Sequence, residues 1–239
     1  MKKSLTVLAA SVSLLFSANS LASDREISVE ITNLTNAIYF TPLLVATHNR
    51  HTDLFEVGTA ASANLQAMAE GGNIDGLIAD VKASGGEYVA NPASGLLAPG
   101  ATAEAVIERP RKRNRFLSVV GMLLPTNDGF VGLDSLRVPK KKGTYTYYLH
   151  GYDAGTEAND EIITGGGAPG APGIPADPGG NAGSGGSPTV AADHNPTVHI
   201  HRGVTGDSDP TGGDSDLDAR VHTWQGPVAR LVIRVNEDD

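Results

Sequence analysis

Two acidic turns carry the residues best suited to chemistry. One is Pro125-Thr126-Asn127-Asp128-Gly129-Phe130-Val131-Gly132 and the other is Tyr152-Asp153-Ala154-Gly155-Thr156-Glu157. Asp and Asn tolerate backbone angles that most residues avoid, and Gly129 and Gly155 permit sharp bends. If both turns meet at one end of a sheet, Asp128, Asp153 and Glu157 face a common point. Three carboxylates there would suit a hard cation such as calcium, which takes oxygen ligands and accepts backbone carbonyls to complete its set. Spacing alone does not separate this from the plainer reading, in which acidic turns are simply solvated.

Further groups carry a weaker signal. Residues 207–218, Asp-Ser-Asp-Pro-Thr-Gly-Gly-Asp-Ser-Asp-Leu-Asp, place oxygens at loop positions one, three and five, Gly at six and an acid at twelve. That spacing resembles an EF-hand loop, but Asp214 stands at position eight, the last acid is the short Asp218, and no helices flank it. His199 and His201 would share one face of a strand and, with His194 or His222, could bind zinc or copper. The run from Arg109 to Arg115 holds five cations in seven residues, and Lys140-Lys141-Lys142 adds a second group. In an acidic chain this asymmetry reads either as a polyanion site, for an acidic glycan or lipopolysaccharide phosphates, or as a charged turn that discourages strand pairing. There is no G-x-S-x-G elbow, no phosphate loop and no H-E-x-x-H, so no known catalytic motif is present.

These residues need a scaffold, and the pattern around them is β-rich. Residues 26–34 alternate apolar and polar, as in a half-buried strand. Residues 37–48 are β-rich, with Pro42 suggesting an edge or a bulge. Residues 102–109, 114–124, 144–150 and 227–236 read as strands, and 114–124 is apolar enough to be central. Residues 60–70 read as a short helix ended by Gly71-Gly72, and 74–83 as a second helical turn or two. The expected fold is all-β: an antiparallel β-sandwich with a short helical excursion and a long Gly/Pro-rich disordered loop. That loop spans 158–193 and is expected to bury no apolar surface.

Residues 1–22 read as a secretory signal peptide, with a basic start, an apolar stretch and small residues before Ala22. The apolar stretch is short for a transmembrane span. Residues 23–239 then form one domain. The chain has no cysteine and a net charge of −9. It therefore has no disulfide framework or thiolate site, and it is poorly suited to general nucleic-acid binding.

The segments Arg115-Phe116-Leu117-Ser118-Val119-Val120-Gly121-Met122-Leu123-Leu124-Pro125-Thr126-Asn127-Asp128, Phe130-Val131-Gly132-Leu133-Asp134-Ser135-Leu136 and Tyr152–Glu157 together resemble the spondin N-terminal domain. The segment Pro227–Val235 is similar to that family's last strand. The resemblance implies an antiparallel β-sandwich with a calcium ion held at Asp128, Asp153 and Glu157. Two departures stand out. Gly129 replaces a usual aromatic, and Glu157 replaces the Asp common in animal members. Those members also carry cysteines, so a secreted or periplasmic protein of a bacterial envelope is expected here. The leading reading is a non-catalytic calcium-binding module for adhesion to an envelope protein, glycan or other polyanion. The alternatives are a metal-dependent envelope enzyme using the histidines and Asp207–Asp218, with an apolar-walled pocket around His199, His201 and His222, and a purely structural envelope protein.

Overall fold

The computed structural model describes residues 25–108, 110–180, 183–188 and 195–237. The proposed signal peptide, Arg109, and residues 181–182 and 189–194 lie outside the described residues. Ten strands and three helices follow in chain order. They are β1 (Arg25–Asn33), β2 (Tyr39–Phe40), β3 (Leu44–His48), α1 (Ala63–Gly71), α2 (Asp75–Ala83), β4 (Glu87–Ala90), β5 (Thr102–Glu108), β6 (Phe116–Leu124), β7 (Gly129–Arg137), β8 (Gly143–Asp153), β9 (His199–Ile200), α3 (Ala219–His222) and β10 (Ala229–Glu237).

All the strand pairs are antiparallel, and the main order is β4-β3-β6-β7-β8-β10-β1-β5. The fold class is all-β, as expected, but the two layers are halves of one continuous sheet. β8 joins them. Its residues 143–149 pair with β10 and its residues 150–153 pair with β7. The outer strands β4 and β5 approach one another, so the sheet is nearly closed.

β6 carries most of the packing. Leu117, Val119 and Leu123 point into the core between the halves, with Val29 and Ile31 of β1 and Ile233 of β10. Val120, Met122 and Leu124 point the other way, against Leu65 and Met68 of α1 and Leu77 and Val81 of α2. A strand buried on both faces must be apolar at nearly every position, which explains a run in which Ser118 is the one polar residue. The α1 helix begins where the Ser62 side chain accepts from the Leu65 N–H at 3.1 Å and ends at Gly72 with φ +70°. Both are ordinary helix-end devices.

The structure departs from expectation in four places. Only residues 125–128 form the first acidic turn; Gly129 opens β7, an interior strand. Pro42 sits in the break between β2 and β3, while β3 itself lies inside the sheet between β4 and β6. β4 pairs with β3 at a stretch that the sequence pattern passed over. The Gly/Pro-rich stretch does bury apolar surface: Ile174 is fully buried in the sandwich core and bridges to Ile163. The backbone of the stretch is tied down as well, with Gly170 N–H donating to Glu70, Gly173 N–H to Glu157 and Ile174 N–H to Ile162 O.

Ile174→Ala should therefore lower stability by about 2–5 kcal/mol, the range for a fully buried aliphatic residue. Denaturant unfolding would measure it. A change under about 0.5 kcal/mol would mean that the segment contributes nothing to the core.

Candidate metal centre

The antiparallel ladders place the acidic residues. Gly129 pairs with Asp153, so Asp128 at the start of β7 lies beside the end of β8. The Ala154 N–H donates to the Asp128 carbonyl at 3.2 Å. Gly155, at φ +70°, then turns the chain back so that Thr156 N–H (2.8 Å), Thr156 Oγ1 (3.2 Å) and Glu157 N–H (3.1 Å) all donate to Asp128 Oδ2. No larger residue fits at 155. A Cβ there would stand 2.7 Å from Asn195 O and Thr197 N. The space that a side chain at 129 would need is taken by Thr126 and His201.

The Asp128 carboxylate is fully buried, and its Oδ1 has no hydrogen-bond partner. Burial and the neighbouring Asp153 carboxylate push its pKa up to about 6, against the opposing bonds from Thr156 and Glu157. Asp153 is 1% exposed. It accepts from the Gly155 N–H at 2.8 Å and from Asn159 Nδ2 at 2.7 Å, and His199 Nε2 stands 3.8 Å from it. Asp128 and Asp153 are thus a buried, mutually repelling pair.

Glu157 sits at the margin. Its Oε2 accepts from the Gly173 N–H at 3.0 Å and from Asn127 Nδ2 at 3.4 Å. Its Oε1 is buried without a partner. Burial raises its pKa to about 7; among charges, Glu70 raises it more than Asp128 does. Among the described residues, no three His, Asp or Glu side chains converge closely enough to hold one metal ion as the chain now stands.

The neighbouring residues were not apparent from sequence. Asn127 Nδ2 donates to Asp160 Oδ1 at 2.8 Å, and Asn127 Oδ1 accepts from the Glu161 N–H at 3.1 Å. Glu161, 7% exposed, accepts from Thr205 N–H (2.6 Å), Gly206 N–H (2.7 Å) and Ser215 Oγ (2.8 Å). It anchors the loop that carries Asp207–Asp218 to the acidic end. The acid-rich stretch from 157 to 161 was the only signal for it.

The acids of the EF-hand-like loop are already engaged by backbone N–H groups and by Arg220: Asp216 accepts from Ile163, Gly185 and Gly186 N–H groups. Asp207 accepts from the N–H groups of Asp209, Asp214 and Ser215, and Asp218 is paired with Arg220 at 2.6 Å. The histidines do not share a pocket. His201 lies against Trp224, with ring centroids 5.0 Å apart, whereas His222 lines a different cavity and faces Asp177 Oδ1 at 3.6 Å. His194 lies outside the described residues. A Ser–His–Asp contact joins the buried Ser118 and His48 to the half-buried Asp134, but Asp134 bonds the serine and His48 Nδ1 faces Asn49 O. The carboxylate contacts the serine and not the imidazole, so the arrangement lacks the order of a nucleophilic triad.

The fold and this end together define an all-β domain with a buried carboxylate pair at one end. The Spondin_N family model matches residues 32–162, more than half of the chain, and the chain belongs to that family. The family is one of non-enzymatic, extracellular binding modules. No curated protein matches the chain. Among the described residues, no helix is long and apolar enough to cross a membrane.

The raised carboxyl pKa values fix a sign. The folded state holds protons that the unfolded chain releases above its ordinary values of 3.8 and 4.5. The stability they contribute is complete below those values and is lost as pH rises through about 6 for Asp128 and about 7 for Glu157. With chelator present, the melting temperature should therefore fall between about pH 5 and about pH 8. A flat or rising profile would show that these carboxyls are not buried as described.

Proposed function

We propose that the protein is a secreted or periplasmic binding and adhesion module in which Asp128, Asp153 and Glu157 hold a calcium ion that braces the acidic end. The observation that carries this reading is the buried Asp128 carboxylate, with one oxygen unpartnered and Asp153 beside it. An unpaired buried anion is expensive unless a cation compensates it. Asp128 and Asp153 are the primary donors. Glu157, whose Oε1 is also unpartnered, would supply a third oxygen by a side-chain rotation. The bound ion would supply positive charge and a tie between the turn at 125–128 and the turn at 153–157.

The surrounding hydrogen bonds favour that role. Asp128 Oδ2 is fixed by three donors, which leaves Oδ1 as the exchangeable oxygen. Asn159 and the Gly155 N–H hold Asp153 in place. A preset pair of carboxylates binds an ion without first being ordered. The result would be a rigid loop surface suited to contact with a partner rather than to turnover of a substrate.

Thermal melts test this. Calcium at 100 times its Kd should stabilise the protein by about 2.7 kcal/mol and raise its melting temperature. Asp128→Asn with Asp153→Asn should remove that increment. The same double variant should melt higher than the parent at about pH 8 in chelator, because it removes two repelling buried charges. A calcium increment that survives in the variant would move the ion elsewhere, and no increment in the parent would leave a structural role for this end.

A further inference from the structure

The end of the sandwich opposite the acidic turns is strongly basic, and the sheet register makes it so. Phe116, at the start of β6, pairs with His48 of β3 and with Arg137 of β7. The loop before β6, the loop after β3 and the hairpin between β7 and β8 therefore meet there. They bring together Arg50, the cations at 111–113 and 115, Arg137 and the lysines at 140–142, half of the chain's 18 lysines and arginines.

Two adjoining cavities lie among them. One of about 370 Å³ is lined by Arg111, Lys112, Arg115, Arg137 and Lys140 over a floor that includes Ile27 and Val138. The other, of about 550 Å³, is lined by Arg50, His51 and Arg113, and shares Lys112 and Arg115 with the first. Both sizes are ordinary for small-ligand sites. Elsewhere three arginines have carboxylate partners: Arg220 pairs with Asp218, and Arg230 and Arg234 share Glu30. Here, among the described residues, only Arg111 has a carboxylate partner, Glu87 at 3.4 Å.

The frame is fixed. Asn114 is 3% exposed, and its Nδ2 donates to Gly85 O at 2.8 Å and to Glu87 Oε2 at 2.5 Å. Arg115 Nε donates to Lys112 O at 2.7 Å, and the Val138 N–H donates to Arg115 O at 2.8 Å. Tyr145 Oη donates to Lys141 O at 3.0 Å across the hairpin. A loop that served only to repel neighbouring strands would not need a buried Asn to hold its shape.

We propose that this basic end binds the sulfate or phosphate groups of an anionic polysaccharide, with Lys112 and Arg115 shared between two adjacent anionic positions. Guanidinium and ammonium groups clustered on a fixed frame suit tetrahedral oxyanions. No Phe, Tyr or Trp lines either cavity, so the stacking platform of a single-stranded nucleic-acid site is missing among the described residues. None of the exposed large apolar side chains falls in these loops, so nothing there would enter a bilayer. The site is independent of the proposed calcium site and goes beyond it.

The test is titration of the purified protein with a sulfated heparin-type oligosaccharide and with its desulfated, uronate-only counterpart. Each would be run in calcium and in chelator across a salt series. Vesicles rich in phosphatidylglycerol and a DNA oligonucleotide would serve as competing polyanions. The expected result is salt-dependent binding of the sulfated chain, unaffected by calcium and at least about tenfold weaker for the desulfated one. Lys112→Ala with Arg115→Ala and Lys140→Ala should weaken it at least about tenfold and flatten the salt slope. The exposed control Arg220→Ala should leave it unchanged, and melting temperatures would confirm that both variants fold. The proposal is overturned if the parent fails to bind at low salt, if the triple variant binds like the parent, or if the desulfated chain, vesicles or DNA bind as tightly as the sulfated chain.

Discussion

The antiparallel ladder β6-β7-β8 is the constraint on which the rest depends. Its register sends the turn at 125–128 and the end of β8 to one pole, and the loop at 111–115 and the hairpin at 138–142 to the other. That ladder is held in turn by the burial of β6 on both faces. The sandwich core lies on one side and the two helices lie on the other. A one-residue slip of β6 would exchange these two sets of side chains, while the β7–β8 register keeps Asp128 beside Asp153. The same hydrophobic burial that stabilises the sheet therefore fixes the position of each charged group at its ends.

Holding carboxylates buried beside one another opposes folding. The chain offsets this with backbone amides, as Asp128 Oδ2, Asp153 and Glu161 each accept N–H donors from turns that follow or lie far along the chain. The offset is incomplete, because Asp128 Oδ1 and Glu157 Oε1 are left unpartnered. Glu161, by contrast, is satisfied by Thr205, Gly206 and Ser215, so it works as an anchor for the far loop. The unpartnered oxygens of Asp128 and Glu157 set them apart from Glu161 in a way that spacing in the sequence does not reveal.

The sequence was most legible where one physical demand dominated. Phe116–Leu124 had to be apolar at nearly every position because both faces are covered, and it read as a central strand. The helix near 60–70 showed through its propensities and its Gly stop. β7 was obscured because Gly129, Gly132, Asp134 and Ser135 carry the chemistry of a turn; pairing with two neighbours overrides it. Ile174 was obscured by the Gly and Pro around it. Asn127 and Glu161 gave little sign of their roles, since Glu161 finds its partners 44 and 45 residues later. Local pattern reports hydrophobic period and turn chemistry, but not the distant amide that makes a buried acid tolerable.

The two poles can act separately. Nine residues of β6 at about 3.3 Å each put them about 30 Å apart, against a Debye length of about 8 Å in physiological salt. A cation bound at the acidic pole would therefore not pull an anion away from the basic one. Their separation also limits self-attraction within one molecule and leaves each field free to act outward. For a chain whose net charge is −9, a concentrated and largely unneutralised basic pole runs against the average. The protein's overall charge is thus a poor guide to its partners: the register of three strands, more than the composition, decides what each end can meet.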